Sequence, residues 1–337
     1  MTLKYLPRFW KRGTDFLGVE YAILCGAMTW VSESNLVAAV SNAGGFGVLA
    51  GGNMPPEMLA EEIEKTRKKT DLPFGVNMIT IAPNFQKHID VVLDMDVHYV
   101  FFAGAIPSGV DIKRIKDAGR KIVCFAPILS LAKRLLRQGI DALVIEGNEA
   151  GGHIGPVSTS VLAQEFLPNL NDVPVFVAGG IGTGEMIASY LFMGAAGAQL
   201  GTRFVAAREC VAHPKFKEAF IKAAARDAVS TVQFDPSLPT IPVRAIVNKG
   251  SQEFNSLQFE LLKKIKSGKL SREEAQWKLE EFWVGALRRA VHDGDVERGS
   301  LMAGQSVAFV KSEQTVKEII EELIEKAEGE LSAMTTR

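Results

Sequence analysis

The stretch VPVFVAGGIGTGEMIASYLFMGAAGAQLGTRF, residues 173–204, contains the repeating unit of the fold. An apolar run ends in the glycine pair Gly179–Gly180, a segment with apolar residues at three- and four-residue spacing covers Glu185–Met193, and a second apolar run ends near Leu200 before Gly201. Short strand, glycine turn, amphipathic helix and short strand make one βα unit, whose two strands run parallel because a helix crosses between them. The same rhythm extends back to Tyr21. Strands are expected to end near Leu24, Ala50, Met78, Phe102, Phe125, Glu146, Ala178 and Leu200, with helices over Asn35–Ala43, Pro56–Lys68, Asn84–Asp96, Asp111–Ala118, Ser130–Gln138, Val161–Phe166 and Glu185–Met193. An open parallel sheet of that size would leave two long unpaired edges, so the pattern predicts closure into an α/β TIM (β/α)8 barrel.

After Thr202 the pattern changes to long polar helices, Pro214–Arg226, Ser256–Ser267 and Ser271–His292, with no strand expected among them. GSLMAGQ (Gly299–Gln305) and an amphipathic segment from Gln314 to Glu328 follow, the latter read as the barrel's eighth outer helix. The expected organisation is a barrel formed by residues 1–205 and 300–337, with a helical cap, 206–299, inserted before the last barrel helix. Trp277 and Trp283 are expected to anchor that cap. The charge run around them reads as a solvated helix face.

Composition narrows the class. Of 337 residues, 47% are apolar and 23% charged, and 38 basic against 39 acidic side chains leave a formal charge of −1. No global field is available to hold nucleic acid or an anionic membrane. The N-terminal stretch MTLKYLPRFWKRGTDF lacks the apolar run of a signal peptide, and no later run has the length of a membrane span. Three cysteines, Cys25, Cys124 and Cys210, are far apart and without metal-ligand spacing, which predicts a reduced, cytoplasmic protein without a zinc site. Exposed outer-helix faces are compatible with a homodimer.

Barrel enzymes place their chemistry in the loops after the strands, so those loops carry the functional reading. The loop after the sixth strand is EGNEAGGHIG (Glu146–Gly155), where small residues bring backbone close to a ligand and His153 is the aromatic base. The next two strands end in AGGIGTGE (Ala178–Glu185) and QLGTRF (Gln199–Phe204), whose backbone N–H groups suit a phosphate. Across the mouth, CGAMTWV (Cys25–Val31) offers Met28 as an apolar platform, and GVN (Gly75–Asn77) offers an amide at Asn77. Phosphate clamp, flat platform and amide together meet the needs of flavin mononucleotide (FMN). A nucleotide or sugar phosphate meets the same conditions. His88, His98, His213 and His292 lie in contexts that read as structural, and Cys25 reads as a small buried hydrophobe ahead of a nucleophile.

The motifs GAMTWV, SNAGGFGVLAGGN, PFGVN, EGNEAGGHIG, VAGGIGTGE, GAAGAQLGTRF, AHPKFKEA, PVRAIVN and GSLMAGQ resemble the nitronate monooxygenase (2-nitropropane dioxygenase) and enoyl-acyl-carrier-protein reductase II family, from about Leu17 to Val310. The resemblance implies an FMN-dependent oxidoreductase. It implies that backbone at Gly26, Ala27 and Met28, the side chains of Asn77 and Glu146, and backbone at Gly151, Gly179, Gly180, Gln199, Leu200, Gly201 and Thr202 hold FMN, with His153 facing the isoalloxazine. Cys25 and Pro156 depart from the glutamine and lysine of reductase-type members.

Two reactions follow from the resemblance. In nitronate oxidation by dioxygen, His153 acts as base on the carbon beside a nitro group, a task suited to imidazole, which ordinarily titrates near neutral pH. In enoyl-thioester reduction, NADH or NADPH is the co-substrate and His153 donates a proton or polarises the carbonyl, while exposed Lys215 and Lys217 are expected to meet an acidic acyl carrier protein. A third reading, a non-catalytic flavin- or phosphate-binding barrel, has little need of His153.

Overall fold

The computed structural model describes residues 3–238 and 240–336; Met1 and Thr2 of the N-terminal stretch, Pro239 within the expected cap and the terminal Arg337 lie outside the described residues. Eight parallel strands close into a barrel in the order β1 (Ile23–Cys25), β2 (Phe46–Ala50), β3 (Phe74–Ile79), β4 (Tyr99–Ala103), β5 (Lys121–Phe125), β6 (Ala142–Glu146), β8 (Val175–Ala178) and β9 (Gly197–Leu200). Closure is made by β9 on β1, with Ile23 opposite Ala198 and Cys25 opposite Leu200. The strands β1, β2, β8 and β9 are buried on both faces, as parallel strands covered by helices must be. The remaining strands are β7 (Gly152–His153), β10 (Ala228–Ser230) and β11 (Val243–Ile246).

The helices are α1 (Leu6–Phe9), α2 (Lys11–Leu17), α3 (Ser34–Asn42), α4 (Pro56–Arg67), α5 (Phe85–Asp94), α6 (Gly109–Asp117), α7 (Leu129–Arg137), α8 (Thr159–Phe166), α9 (Gly184–Phe192), α10 (Pro214–Lys222), α11 (Lys249–Lys266), α12 (Arg272–Arg288) and α13 (Val316–Thr336). Their starts follow local chemistry. Glu33 accepts from the N–H groups of Asn35 and Leu36 at the head of α3, Ser108 from Asp111 on α6, and Thr183 from Met186 on α9, each pairing a donor that the helix cannot satisfy itself. Glu328 on α13 accepts from the backbone of Lys4, Tyr5 and Leu6, tying the N-terminus to the last barrel helix. No helix among the described residues is long and apolar enough to cross a membrane.

The segment expected to be wholly helical contains β10 and β11, which form an antiparallel sheet with β7, the histidine loop itself, in the order β10-β11-β7. These strands have three, four and two residues. None is long enough to display the two-residue period by which a strand is read, and the pairing partner lies in a distant segment. Beneath α11 and α12 a second cluster of buried side chains gathers Leu238, Val243, Phe254, Leu261, Leu262, Ala275, Leu279 and Trp283. Trp283 is its anchor, 4.2 Å between ring centroids from Phe254, whereas Trp277 is 48% exposed and anchors nothing, because it lies on the outward face of α12. A reciprocal cap between Asn248 and Ser251 starts α11 at Lys249, earlier than the apolar pattern alone indicates. Lys217 also departs from expectation. It is buried, donating to the Ala207 carbonyl (2.7 Å) and to Glu313 (3.0 Å), so it is not presented to a carrier protein; Lys215 is exposed.

Candidate active site

Each residue singled out for ligand binding lies at or just beyond the C-terminal end of a barrel strand. Gly26, Ala27 and Met28 follow β1, Asn77 lies in β3, Glu146 ends β6, Gly151 and His153 belong to the next loop, Gly179 and Gly180 follow β8, and Gln199, Leu200, Gly201 and Thr202 span the end of β9. Parallel register brings them to one level, since Glu146 is opposite Ala178, Ala178 opposite Gln199, and Leu200 opposite Cys25.

The β1 and β9 loops meet directly. Gly26 donates its N–H to the Leu200 carbonyl, and a Cβ on Gly26 would lie 3.1 Å from the Gln199 amide. The Met28 sulfur lies 3.3 Å from the place a Cβ on Gly201 would occupy. Ser32 closes the β1 loop, accepting from the Met28 N–H (3.0 Å) and donating to the Gly26 carbonyl (2.8 Å). Trp30 in the same loop has φ +65°, a left-handed conformation that costs a bulky residue energy, and its indole stands edge-on to His292.

The residues fit a phosphorylated heterocycle. The N–H groups of Gly180 and Gly201 have no hydrogen-bond acceptor among the described residues, and with Gly179 they cluster beyond the two strands where barrels hold phosphate. Asn77 is buried, with one long hydrogen bond from Nδ2 to the Phe101 carbonyl (3.4 Å), so its amide retains capacity for a heterocycle edge. Gly179 has φ +94°, and a Cβ there would stand 2.8 Å from the Gly147 carbonyl oxygen, so the β6 and β8 loops are in backbone contact.

Half-buried Glu146 closes the base of the histidine loop. Burial pushes its carboxyl up to about 7, opposed by the nearby His153. Near neutral pH it is therefore divided between an acceptor and a hydroxyl donor. The unfolded chain releases this proton near 4.5, whereas the folded chain keeps it to about 7. Stability from this group is thus complete below about 4.5 and lost as pH rises through 7. In flavin-free protein, Glu146→Gln is expected to gain about 2–3 kcal/mol more, relative to the parent, at about pH 8 than at about pH 4. Paired thermal or urea unfolding curves at the two pH values check this; a pH-independent difference would contradict the burial argument. Burial raises the Cys25 thiol as well, which suits the small-hydrophobe reading.

His153 sits on β7, opposite Val243 of β11, and Ile154 donates to the Pro242 carbonyl (2.9 Å). Its Nε2 lies 3.2 Å from Oε1 and 3.1 Å from Oε2 of Glu280 on α12. Arg244, buried, donates from Nε to the Asn148 carbonyl (2.9 Å) and from Nη1 to the Ala228 carbonyl (2.6 Å), which ties the histidine loop to the cap sheet. Sequence reasoning missed both Glu280 and Arg244, because each meets the loop only through tertiary folding. It also missed the structural part played by GSLMAGQ. The Gly304 N–H donates to Thr202 Oγ1 (2.9 Å), the Gln305 N–H to the Glu149 carbonyl (2.9 Å), and Gly151 lies so close that a Cβ would come within 2.6 Å of the Ala303–Gly304 peptide. The small residues of that motif were the available signal. His213 accepts from the Lys215 N–H to cap α10, and buried His88 contacts the Met54 carbonyl, in keeping with structural roles.

The chain and its fold have counterparts among known proteins. The nitronate monooxygenase family profile matches residues 11–86 and 78–326. The structure is similar to that of FabK from Thermotoga maritima (TM-score 0.86, 38% identity, 96% of this chain and 98% of that one) and to nitroalkane oxidase from Streptomyces ansochromogenes (TM-score 0.79, 26% identity, 95% and 99%). A curated relative is the (3aS,4S,5R,7aS)-5-hydroxy-7a-methyl-1-oxo-octahydro-1H-indene-4-carboxyl-CoA dehydrogenase of Mycobacterium tuberculosis, 29% identical over 92% of this chain and 94% of the relative. The chain belongs to the nitronate monooxygenase family of flavin-dependent oxidoreductases.

Proposed function

We propose that this chain binds FMN across the strand ends and oxidises alkyl nitronates with dioxygen, His153 serving as the base for neutral nitroalkanes. The observation that carries the reading is the meeting of three features at one mouth: free N–H groups after β8 and β9, the Asn77 amide on β3, and a histidine on the loop between. Bound FMN supplies the two-electron acceptor. Gly179, Gly180 and Gly201 hold its phosphate, Met28 and the β1 loop support its rings, and Asn77 and Glu146 read the heterocycle edge. The barrel with its inserted cap, 206–299, is the working unit, and the cytoplasm is its proposed compartment.

A second reading is NADH- or NADPH-dependent reduction of an enoyl thioester. It is favoured by the 38% identity with FabK along almost the whole chain and by the CoA thioester named for the mycobacterial relative. Ile81, Ile106 and Ile128, exposed in the loops after β3, β4 and β5, offer an apolar rim to an acyl chain. Carrier-protein docking would then use Lys215 without Lys217.

Anaerobic mixing of the FMN-loaded protein with propyl-2-nitronate, NADH and NADPH in turn tests both. Rapid bleaching of the flavin absorbance by nitronate, with slow or no bleaching by either nicotinamide, is the expected result. Bleaching by a nicotinamide alone, followed by reoxidation with crotonyl thioester, selects the second reading. A protein that takes up no flavin refutes both.

A further inference from the structure

We propose that Glu280 is the positioning residue for His153, holding Nε2–H so that Nδ1 is the nitrogen that takes the substrate proton. This rests on the base role given to His153 above. Both Glu280 oxygens lie within 3.2 Å of Nε2. A carboxylate only accepts, so the nitrogen it faces carries the hydrogen, and in neutral imidazole the other nitrogen then holds the lone pair.

The two partners are held from opposite sides. Leu279 and Trp283, on either side of Glu280 along α12, are buried in the cap cluster, and the helix is started by a reciprocal cap between Ser271 and Glu274. His153 is fixed by the β7–β11 pairing and by the Arg244 bond to Asn148. With both backbones held, the contact orders the imidazole at modest entropic cost. Glu280 is 34% exposed and His153 40%, so solvent reaches the pair and it does not form part of a packed core.

The step balances simply. The carbon beside the nitro group loses its proton to Nδ1, the C–H electron pair passes into the nitronate, and the resulting imidazolium has its positive charge beside the Glu280 carboxylate. That carboxylate stabilises the product of the transfer more than the reactant, which is what accelerates the step. A preformed nitronate bypasses the transfer and gains nothing from Glu280.

The test combines a spectroscopic and a kinetic readout on FMN-loaded full-length protein. With 15N-histidine labelling at low temperature, the parent is expected to show a downfield Nε2-bound proton at His153 that exchanges more slowly than that of a free imidazole, assigned by its loss in His153→Asn. The signal should disappear in Glu280→Ala and persist in Glu280→Gln, whose amide oxygen still accepts. Glu280→Ala should lower kcat on a neutral nitroalkane about 10- to 100-fold, with KM and turnover of preformed nitronate nearly unchanged, and Glu280→Gln should recover part of the loss. Retained flavin content and near-ultraviolet dichroism establish that the variants fold. Persistence of the signal in Glu280→Ala, or its absence from the parent, overturns the pairing; parental kcat on nitroalkane in Glu280→Ala overturns the positioning role. If the parent turns over no nitroalkane, the base reading of His153 fails by itself, and the proton signal still decides whether Glu280 holds Nε2.

Discussion

Replacing His153 by asparagine is expected to lower turnover of a neutral nitroalkane by about 10²- to 10⁴-fold while changing turnover of the corresponding nitronate by less than about tenfold. Asparagine keeps a polar side chain of similar reach but offers no basic nitrogen. The backbone at this position is held by β11 and by the Ile154 bond to Pro242, neither of which depends on the imidazole. The substitution therefore removes the base and leaves the mouth standing. Steady-state rates on both forms of one substrate, with flavin content measured in parallel, provide the check. Equal losses on both forms would mean that His153 binds or orients substrate and does not remove its proton. Under the thioester reading the same variant would instead slow reoxidation of the reduced protein by the enoyl substrate, with its reduction by nicotinamide unaffected.

The contrast between His153 and Glu280 shows where sequence reading stops. The strand ends were legible because each combines an apolar run with a glycine or polar break, and the structure ends β2, β5, β6, β8 and β9 at the residues expected, Ala50, Phe125, Glu146, Ala178 and Leu200. Once eight such ends are known, barrel closure brings their loops together, so the glycine loops after β8 and β9 and the loop carrying His153 could be placed at one mouth without coordinates. Nothing equivalent constrains a cap helix. Glu280 stands among other charged residues of α12 and differs from them only in facing β7. Lys217 makes the same point in reverse. Its place among lysines on a polar helix suggested exposure, but α10 packs Phe216 and Phe220 into the barrel core and takes the neighbouring lysine with them, whose ammonium then satisfies the Ala207 carbonyl and pairs with Glu313.

Gly179→Ala is expected to weaken FMN binding by about 30- to 1,000-fold, the result of a loss of about 2–4 kcal/mol. Two costs combine. At φ +94° any L side chain is strained, and the added Cβ would stand 2.8 Å from the Gly147 carbonyl oxygen, 3.0 Å from the Gly147 nitrogen and 3.0 Å from Thr159 Oγ1. Relief requires the β8 loop to move away from the β6 loop, and that movement separates the Gly179–Gly180 backbone, with the free N–H of Gly180, from the segment leading to His153. The strain alone can be measured elsewhere in the same protein. Gly139 has φ +99° with nothing within 4 Å of its Cβ position, so Gly139→Ala carries the conformational penalty without the clash and without touching the mouth. Fluorescence titration of flavin-free protein with FMN, beside thermal unfolding, separates the two effects. Gly139→Ala should lose stability and keep its affinity, whereas Gly179→Ala should lose affinity beyond what its stability explains. Equal affinities in the two variants would mean that the β8 loop is an ordinary tight connection and that the phosphate is held elsewhere.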